Sequence, residues 1–298
     1  MNDYVMSVIL GIVEGLTEFL PVSSTAHLRI AEALLHISLT SGYWKMYTIV
    51  IQIGAIATLP IYFREHIRKL FSSFPAGEKS DRTIYTHPLS LVMIAFVITA
   101  LPSYLLTKVI GKNLESLYVM ATSLIVGGVV MWAVDWMSAR SEKAGEQGGT
   151  PGRIHTWRMD NMSLGQAMWI GACQILSGVF PGTSRSMATI SAGQVAGMSR
   201  AAALEFSFFL SMPTMAMAVA YSLFKSLRGK DENPIGVSQI DAHQWIVLAI
   251  GLVVSFIVAY GAVAWFMGWV RKRGFAPFAV YRIALGIAVL AWASRMVG

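Results

Sequence analysis

Residues 14–27 read Glu14-Gly-Leu-Thr-Glu18-Phe-Leu-Pro21-Val-Ser23-Ser24-Thr25-Ala-His27, inside an otherwise apolar stretch. They bring together two carboxylates, the hydroxyls of Ser23, Ser24 and Thr25, and an imidazole. On a helix Glu14 and Glu18 are four residues apart and share a face. Carboxylates at the centre of a membrane helix cost roughly 2.5–3.5 kcal/mol each on insertion scales. Such a pair needs a cation, a cavity or a proton. The simplest cation is Mg²⁺ or Ca²⁺, held with water and phosphate oxygens; the alternative is one protonated carboxylate hydrogen-bonded in a helix interface. His27 lies three residues past Ser24, a spacing that suits a base beside a hydroxyl nucleophile, although a lone His is also a common structural residue.

A second stretch carries the complementary charge: Phe180-Pro181-Gly182-Thr183-Ser184-Arg185-Ser186-Met-Ala-Thr189. Gly182 permits close backbone approach, and the hydroxyls of Ser184, Ser186 and Thr189 precede or line a helix whose first N–H groups favour phosphate. Arg185 can grip phosphate oxygens bidentately. The competing reading makes Arg185 the ion-pair partner of Glu14 or Glu18, and lets the hydroxyls bond backbone carbonyls. Gln52, Glu205 and Arg282 are further polar residues within apolar stretches; Arg282 suggests either a supporting role at the site or the neutralisation of Glu205.

The elements that position these residues follow from composition. Of 298 residues 55% are hydrophobic and 13% charged, with a mean hydropathy of +0.58. Soluble domains are about 25% charged, so this is an integral membrane protein. A lone cysteine, Cys173, excludes an intramolecular disulfide and a cysteine-based metal cluster. The N-terminus shows no basic region or cleavage site of a removable signal peptide. The net charge of +7 suits anionic lipid or an anionic substrate. Nucleic acid is not expected, because the basic residues are spread over separate loops.

The reading is an all-α polytopic fold of about six transmembrane helices and two re-entrant helix hairpins, in a single membrane domain. Residues 4–20 and 22–36 form the first hairpin, and 164–180 and 184–198 the second. Full spans are expected near 46–63, 89–107, 116–137, 200–224, 244–270 and 277–297, each close to the ~20 residues that a bilayer requires. Stretches 64–88 and 138–163 read as polar loops. A shift of 160 positions lays Pro21 on Pro181 and Ser24 on Ser184. With three spans between the copies, this predicts an inverted repeat (about 1–137 and 164–298) whose broken helices meet near the midplane. Twelve loop arginines and lysines fall on the side of 64–88, 138–163 and 271–274, against eight on the other. The richer side is expected to be cytoplasmic, with both termini and the first hairpin outside.

The two motifs resemble those of the bacitracin-resistance family of undecaprenyl-diphosphate phosphatases. The first family signature is matched from Glu14 to His27, the second from Pro181 to Thr189. Shorter echoes at Ile51–Gly54, Glu205–Phe208 and Pro277–Arg282 extend the similarity over nearly the whole chain. Ala26 stands where a Gly is usual and Met187 where a small residue is usual; the 138–163 loop looks longer than usual. The resemblance implies a bacterial plasma-membrane enzyme that removes the terminal phosphate of the polyprenyl diphosphate carrier of cell-wall synthesis, with a divalent cation and the site open to the outer face. It also gives Glu14, Glu18, Ser24, His27, Ser184, Arg185 and Thr189 active-site roles. Either Ser24 or a water is the expected nucleophile. The alternative class is a transporter of the lipid carrier, since broken-helix repeats recur in transporters.

Overall fold

A proline cannot donate into a helical ladder, and the residue before it is pushed out of the helical region. The computed structural model, which describes residues 2–37, 42–77, 80–106, 116–146, 154–227 and 240–297, shows this at both expected breaks. α1 (Asp3–Thr17) stops before Pro21 and α2 (Ser24–Leu34) starts after it; α7 (Leu164–Val179) and α8 (Arg185–Val195) flank Pro181 in the same way. The other helices are α3 (Gly42–Tyr62), α4 (Arg64–Ser73), α5 (Pro88–Leu105), α6 (Leu117–Glu146), α9 (Arg200–Leu227), α10 (Ala242–Arg273) and α11 (Ala276–Val297). Six of them (α3, α5, α6, α9, α10 and α11) are long and apolar enough to cross a membrane. The described residues are thus all-helical in their regular structure, and the protein is a multi-pass membrane protein.

Two expectations are corrected. The stretch 64–88 is not wholly a loop, because α4 occupies its first ten residues. Ile67, Leu70 and Phe71 recur at helical spacing among Arg64, Arg68 and Lys69, the pattern of an amphipathic surface helix. Nor is 138–163 wholly a loop: α6 runs on to Glu146, since Ala, Arg, Glu and Lys favour helix whatever their polarity. Residues 147–153 of that stretch lie outside the described residues. So does the 108–112 turn with Lys108 and Lys112, along with Lys79, Arg228 and Lys230 of the charge count.

The helices cluster into two compact units. The first holds Met1–Phe19, Ser24–Phe63 and Ser211–Ala264; the second holds Leu20–Ser23, Arg64–Leu210 and Trp265–Gly298. The short segment at the first break therefore belongs to the second unit, while the helices on both sides of it belong to the first.

In the first unit, Gly11 and Gly15 let α1 lie directly on the backbone of α10; a Cβ at Gly15 would come within 2.7 Å of the Ser255 carbonyl. Such small-residue contacts supply the van der Waals packing that lipid offers no hydrophobic substitute for. Tyr47 of α3 donates to the Ser7 carbonyl at 2.9 Å, and Ser7 donates to the Val247 carbonyl at 2.7 Å, fixing the register of α1 with α3 and α10. Leu10, Leu28, Ile51 and Leu248 fill the core around that pair.

In the second unit, α11 packs along α6, α5 along α7, and α7 against α8. Asp135 of α6 anchors the crossing. It accepts from Arg200 Nε at 2.7 Å and from the Phe275 and Ala276 N–H groups at 3.1 and 3.2 Å, capping the otherwise unpaired donors at the start of α11.

His66 of α4 lies between Asp160 and Glu205, with one ring nitrogen 3.0 Å from each carboxylate. Glu205 is thus engaged by His66. The Asp160 and Glu205 hydrogen bonds lift the His66 pKa from 6.5 to about 9, against the opposing effect of burial. Arg158 also reaches Asp160, at 3.1 Å, and Phe209 packs edge-on to the imidazole. A folded-state pKa raised in this way stabilises the fold in full below pH 6.5, and the contribution is lost as pH rises through about 9. The melting temperature of the purified protein is therefore expected to fall between pH 7 and pH 10, with a shallower fall in His66→Gln. Equal slopes for the two proteins would refute the imidazolium bridge.

Candidate active site

In the first unit the carboxylate pair keeps the geometry expected of a helix, although α1 ends one residue before Glu18. Glu18 retains helical angles (φ −64°, ψ −43°), and its N–H donates to the Glu14 carbonyl at 3.0 Å. Glu14 is wholly buried and Glu18 half-buried. Ser24, the first residue of α2, donates its hydroxyl to Glu18 Oε2 at 2.5 Å. That is the length of a charge-assisted O–H···O⁻ bond. The hydroxyl proton of the expected nucleophile therefore already faces a carboxylate. His27, half-buried, stands one turn further along α2, and Thr25 is exposed.

The fit to a divalent cation can be judged from the donors. Glu14, Glu18 and the Ser24 hydroxyl are hard oxygen groups, which suit Mg²⁺ or Ca²⁺ and not a soft metal. No group of three or more His, Cys, Asp or Glu able to hold a metal is found among the described residues. A cation here would complete its shell with water and substrate oxygens, which is how Mg²⁺ is usually held beside a diphosphate. The residues fit.

The second unit carries the residues of the second motif. A capping box between Ser163 and Gln166 opens α7, and the chain leaves it through Phe180, Pro181 and Gly182. Gly182 has φ +92°, and a Cβ there would sit 2.5 Å from the Met120 carbonyl. Only glycine meets both demands. Ser184, at φ +66°, caps α8 by accepting the Met187 N–H at 3.4 Å. Ser23, immediately before α2, also has a positive φ, +75°. Each break thus holds a serine in a conformation that non-glycine residues seldom adopt. Arg185 opens α8 half-buried, with Nη1 3.4 Å from the Ser207 carbonyl. Ser186 and Thr189 are wholly buried; Thr189 bonds to the Arg185 carbonyl at 2.9 Å and to the Ser207 hydroxyl at 2.6 Å.

The two motifs therefore divide between the units. Glu14, Glu18, Ser24, Thr25 and His27 lie in the first; Ser23, Gly182, Ser184, Arg185, Ser186 and Thr189 lie in the second. Two residues gain importance over the sequence reading. Ser207, within the Glu205–Phe208 echo, braces both Arg185 and Thr189. Arg282 is the largest wholly buried side chain described. It does not neutralise Glu205, which is held by His66, but donates to main-chain carbonyls at both breaks. Gln52 is half-buried on α3.

The family model described as "Bacitracin resistance protein BacA" matches residues 7–288 of the chain. An undecaprenyl-diphosphatase of Koribacter versatilis is 62% identical, covering 99% of this chain and all of its own length. Undecaprenyl-diphosphatase 1 of Frankia alni is 38% identical over 94% of this chain and 92% of its own. An undecaprenyl-diphosphatase of Caldanaerobacter subterraneus is 35% identical over 97% and 96%.

Proposed function

Since the chain belongs to the bacitracin resistance protein BacA family, we propose that it hydrolyses undecaprenyl diphosphate to undecaprenyl phosphate and inorganic phosphate. The product is the lipid carrier returned to cell-wall polysaccharide synthesis. The observation that carries the chemistry is the 2.5 Å hydrogen bond from Ser24 to Glu18 within the first motif. Neither the described geometry nor the relatives' names favour the transporter alternative.

A divalent cation at Glu14 and Glu18 would supply charge neutralisation and polarise the phosphoryl group. The chain's own groups do the rest. Glu18 takes the Ser24 proton as Ser24 Oγ forms a bond to the terminal phosphorus and the bridging P–O bond breaks, releasing undecaprenyl phosphate. Water then cleaves the phosphoserine to inorganic phosphate, with Ser24 recovering a proton. In the direct variant, Ser24 and Glu18 orient and deprotonate a water that attacks the same phosphorus. His27, on the same face of α2 as Ser24, orients the nucleophile or returns the proton. Ser23, Thr25, Gly182, Ser184, Arg185, Ser186 and Thr189 make up the phosphate-binding set. Within it the start of α8 and the Arg185 guanidinium meet the charge that grows on the phosphoryl oxygens and leaving group. The basic-residue bias supports an orientation with the first hairpin, and so the reaction, at the outer face.

Phosphate release from undecaprenyl diphosphate by the detergent-purified protein tests the proposal. Release is expected to stop with EDTA and to return on adding excess Mg²⁺ or Ca²⁺. A well-folded wild type that releases no phosphate with either cation would overturn it.

A further inference from the structure

We propose that Arg282 is a positioning residue for the reaction, its guanidinium fork fixing the backbone of both helix breaks so that the start of α8 presents its N–H groups to phosphate. The inference rests on the hydrolase reading above. Arginine is seldom fully buried unless paired, yet Arg282 of α11 has no exposed surface. Its partners are backbone carbonyls drawn from three parts of the second unit. Nη1 donates to Pro21 at 2.9 Å; Nη2 donates to Gly182 at 3.0 Å, Thr183 at 2.8 Å and Ser123 at 3.3 Å. One planar group thus ties the segment before Ser23 to the segment before Ser184.

Both of those serines hold positive φ angles, conformations that persist only where the surroundings over-determine them. Arg282 bonds the carbonyl two residues before Ser23, and the carbonyls two residues and one residue before Ser184. In a trans peptide the carbonyl and the following N–H point in opposite directions. Drawing the Thr183 carbonyl onto Arg282 therefore turns the Ser184 N–H away from Arg282, at the end of α8 where Arg185 begins. Arg282 is too deeply buried to touch substrate, so its effect passes through the two breaks.

Gly127 of α6 completes the arrangement: a Cβ there would collide with Arg282 Nη2 and the Met187 methyl. Lysine keeps the charge of Arg282 but cannot reproduce a fork that serves four carbonyls.

The test compares wild type, Arg282→Lys, Gly127→Ala and Glu18→Gln as full-length proteins in detergent. It measures kcat and KM for phosphate release from undecaprenyl diphosphate beside the melting temperature. Arg282→Lys is expected to lose at least about tenfold in kcat, with KM within about threefold of wild type, because misplaced transition-state contacts lower kcat while leaving ground-state binding of the lipid. The loss should persist at assay temperatures well below the melting point. Gly127→Ala, which keeps every charge, should shift kcat in the same direction and decides the matter if Arg282→Lys does not fold. Wild-type kcat in whichever variants fold, or a loss that disappears on cooling, overturns the inference. An inactive wild type overturns it together with the hydrolase reading, whereas an active wild type with inactive Glu18→Gln and unaffected Arg282→Lys and Gly127→Ala defeats this inference alone.

Discussion

Glu18→Gln is expected to lower kcat for phosphate release by about 10²–10⁴-fold, the usual worth of a positioned general base, while the protein still folds. The amide has nearly the shape of the carboxylate, and Glu18 is only half-buried, so packing changes little. Its oxygen can still accept the Ser24 hydroxyl now held at 2.5 Å, but an amide does not take the proton. Glu18 is also a proposed cation ligand, and the two roles separate experimentally. If the loss reflected cation affinity alone, raising Mg²⁺ would restore the rate; if it reflects the missing base, the rate stays low at saturating cation. Ser24→Ala adds a check, since it should be as slow as Glu18→Gln and the double variant little slower than either. Residues that act as a unit are non-additive in this way. Retention of kcat within about twofold in Glu18→Gln would remove the base from Glu18 and leave His27 as the group to examine.

The sequence exposed those features of the fold that leave a local mark. Pro21 and Pro181 break apolar runs too short to span, and the helices stop and restart around both. The six spans were visible as long apolar stretches because a bilayer sets their length. What escaped was non-local or lay in mixed composition. α4 was hidden in a basic stretch because its apolar residues are few, and the end of α6 because polar helix formers look like loop. The partner of Arg282 had no local signal either: its three break contacts lie 261, 100 and 99 residues away, and carbonyl acceptors belong to every residue type. Pairing buried charges by sign suggested Glu205, but the surface helix α4 had already brought His66 to it. The unusual φ angles of Ser23 and Ser184 were equally silent, since serine rarely adopts them. Chemistry was easier to read than geometry. Carboxylates, hydroxyls and an arginine in apolar surroundings declare themselves by their cost, whereas the groups that brace them, such as Ser207, resemble ordinary packing.

Arg185→Ala is expected to reduce kcat/KM by about 10²–10³-fold, the scale of removing one preorganised donor to a developing anion, and Arg185→Lys to recover only part of the loss. Arg185 is the first residue of α8, so its charge adds to the N-terminal end of the helix dipole. Its placement is enforced from behind. The Ser207 carbonyl lies 3.4 Å from Nη1, and Thr189, bonded to both Ser207 and the Arg185 backbone, locks the first turn of α8 to α9. A lysine on the same backbone would supply a point charge without the planar pair of donors. The division between kcat and KM then reports what the guanidinium binds. A loss mainly in KM would make it an anchor for the bound diphosphate, and a loss shared equally by kcat and kcat/KM would place its contact in the transition state. The second pattern is the expected one, because charge on the phosphoryl group and leaving oxygen grows as the bridging bond breaks. Ser207→Ala should move in the same direction by a smaller factor, because it removes the hydroxyl brace of Thr189 but leaves the carbonyl that meets Arg185. Full activity in Arg185→Lys would mean that charge alone suffices, and the bidentate role would have to be abandoned.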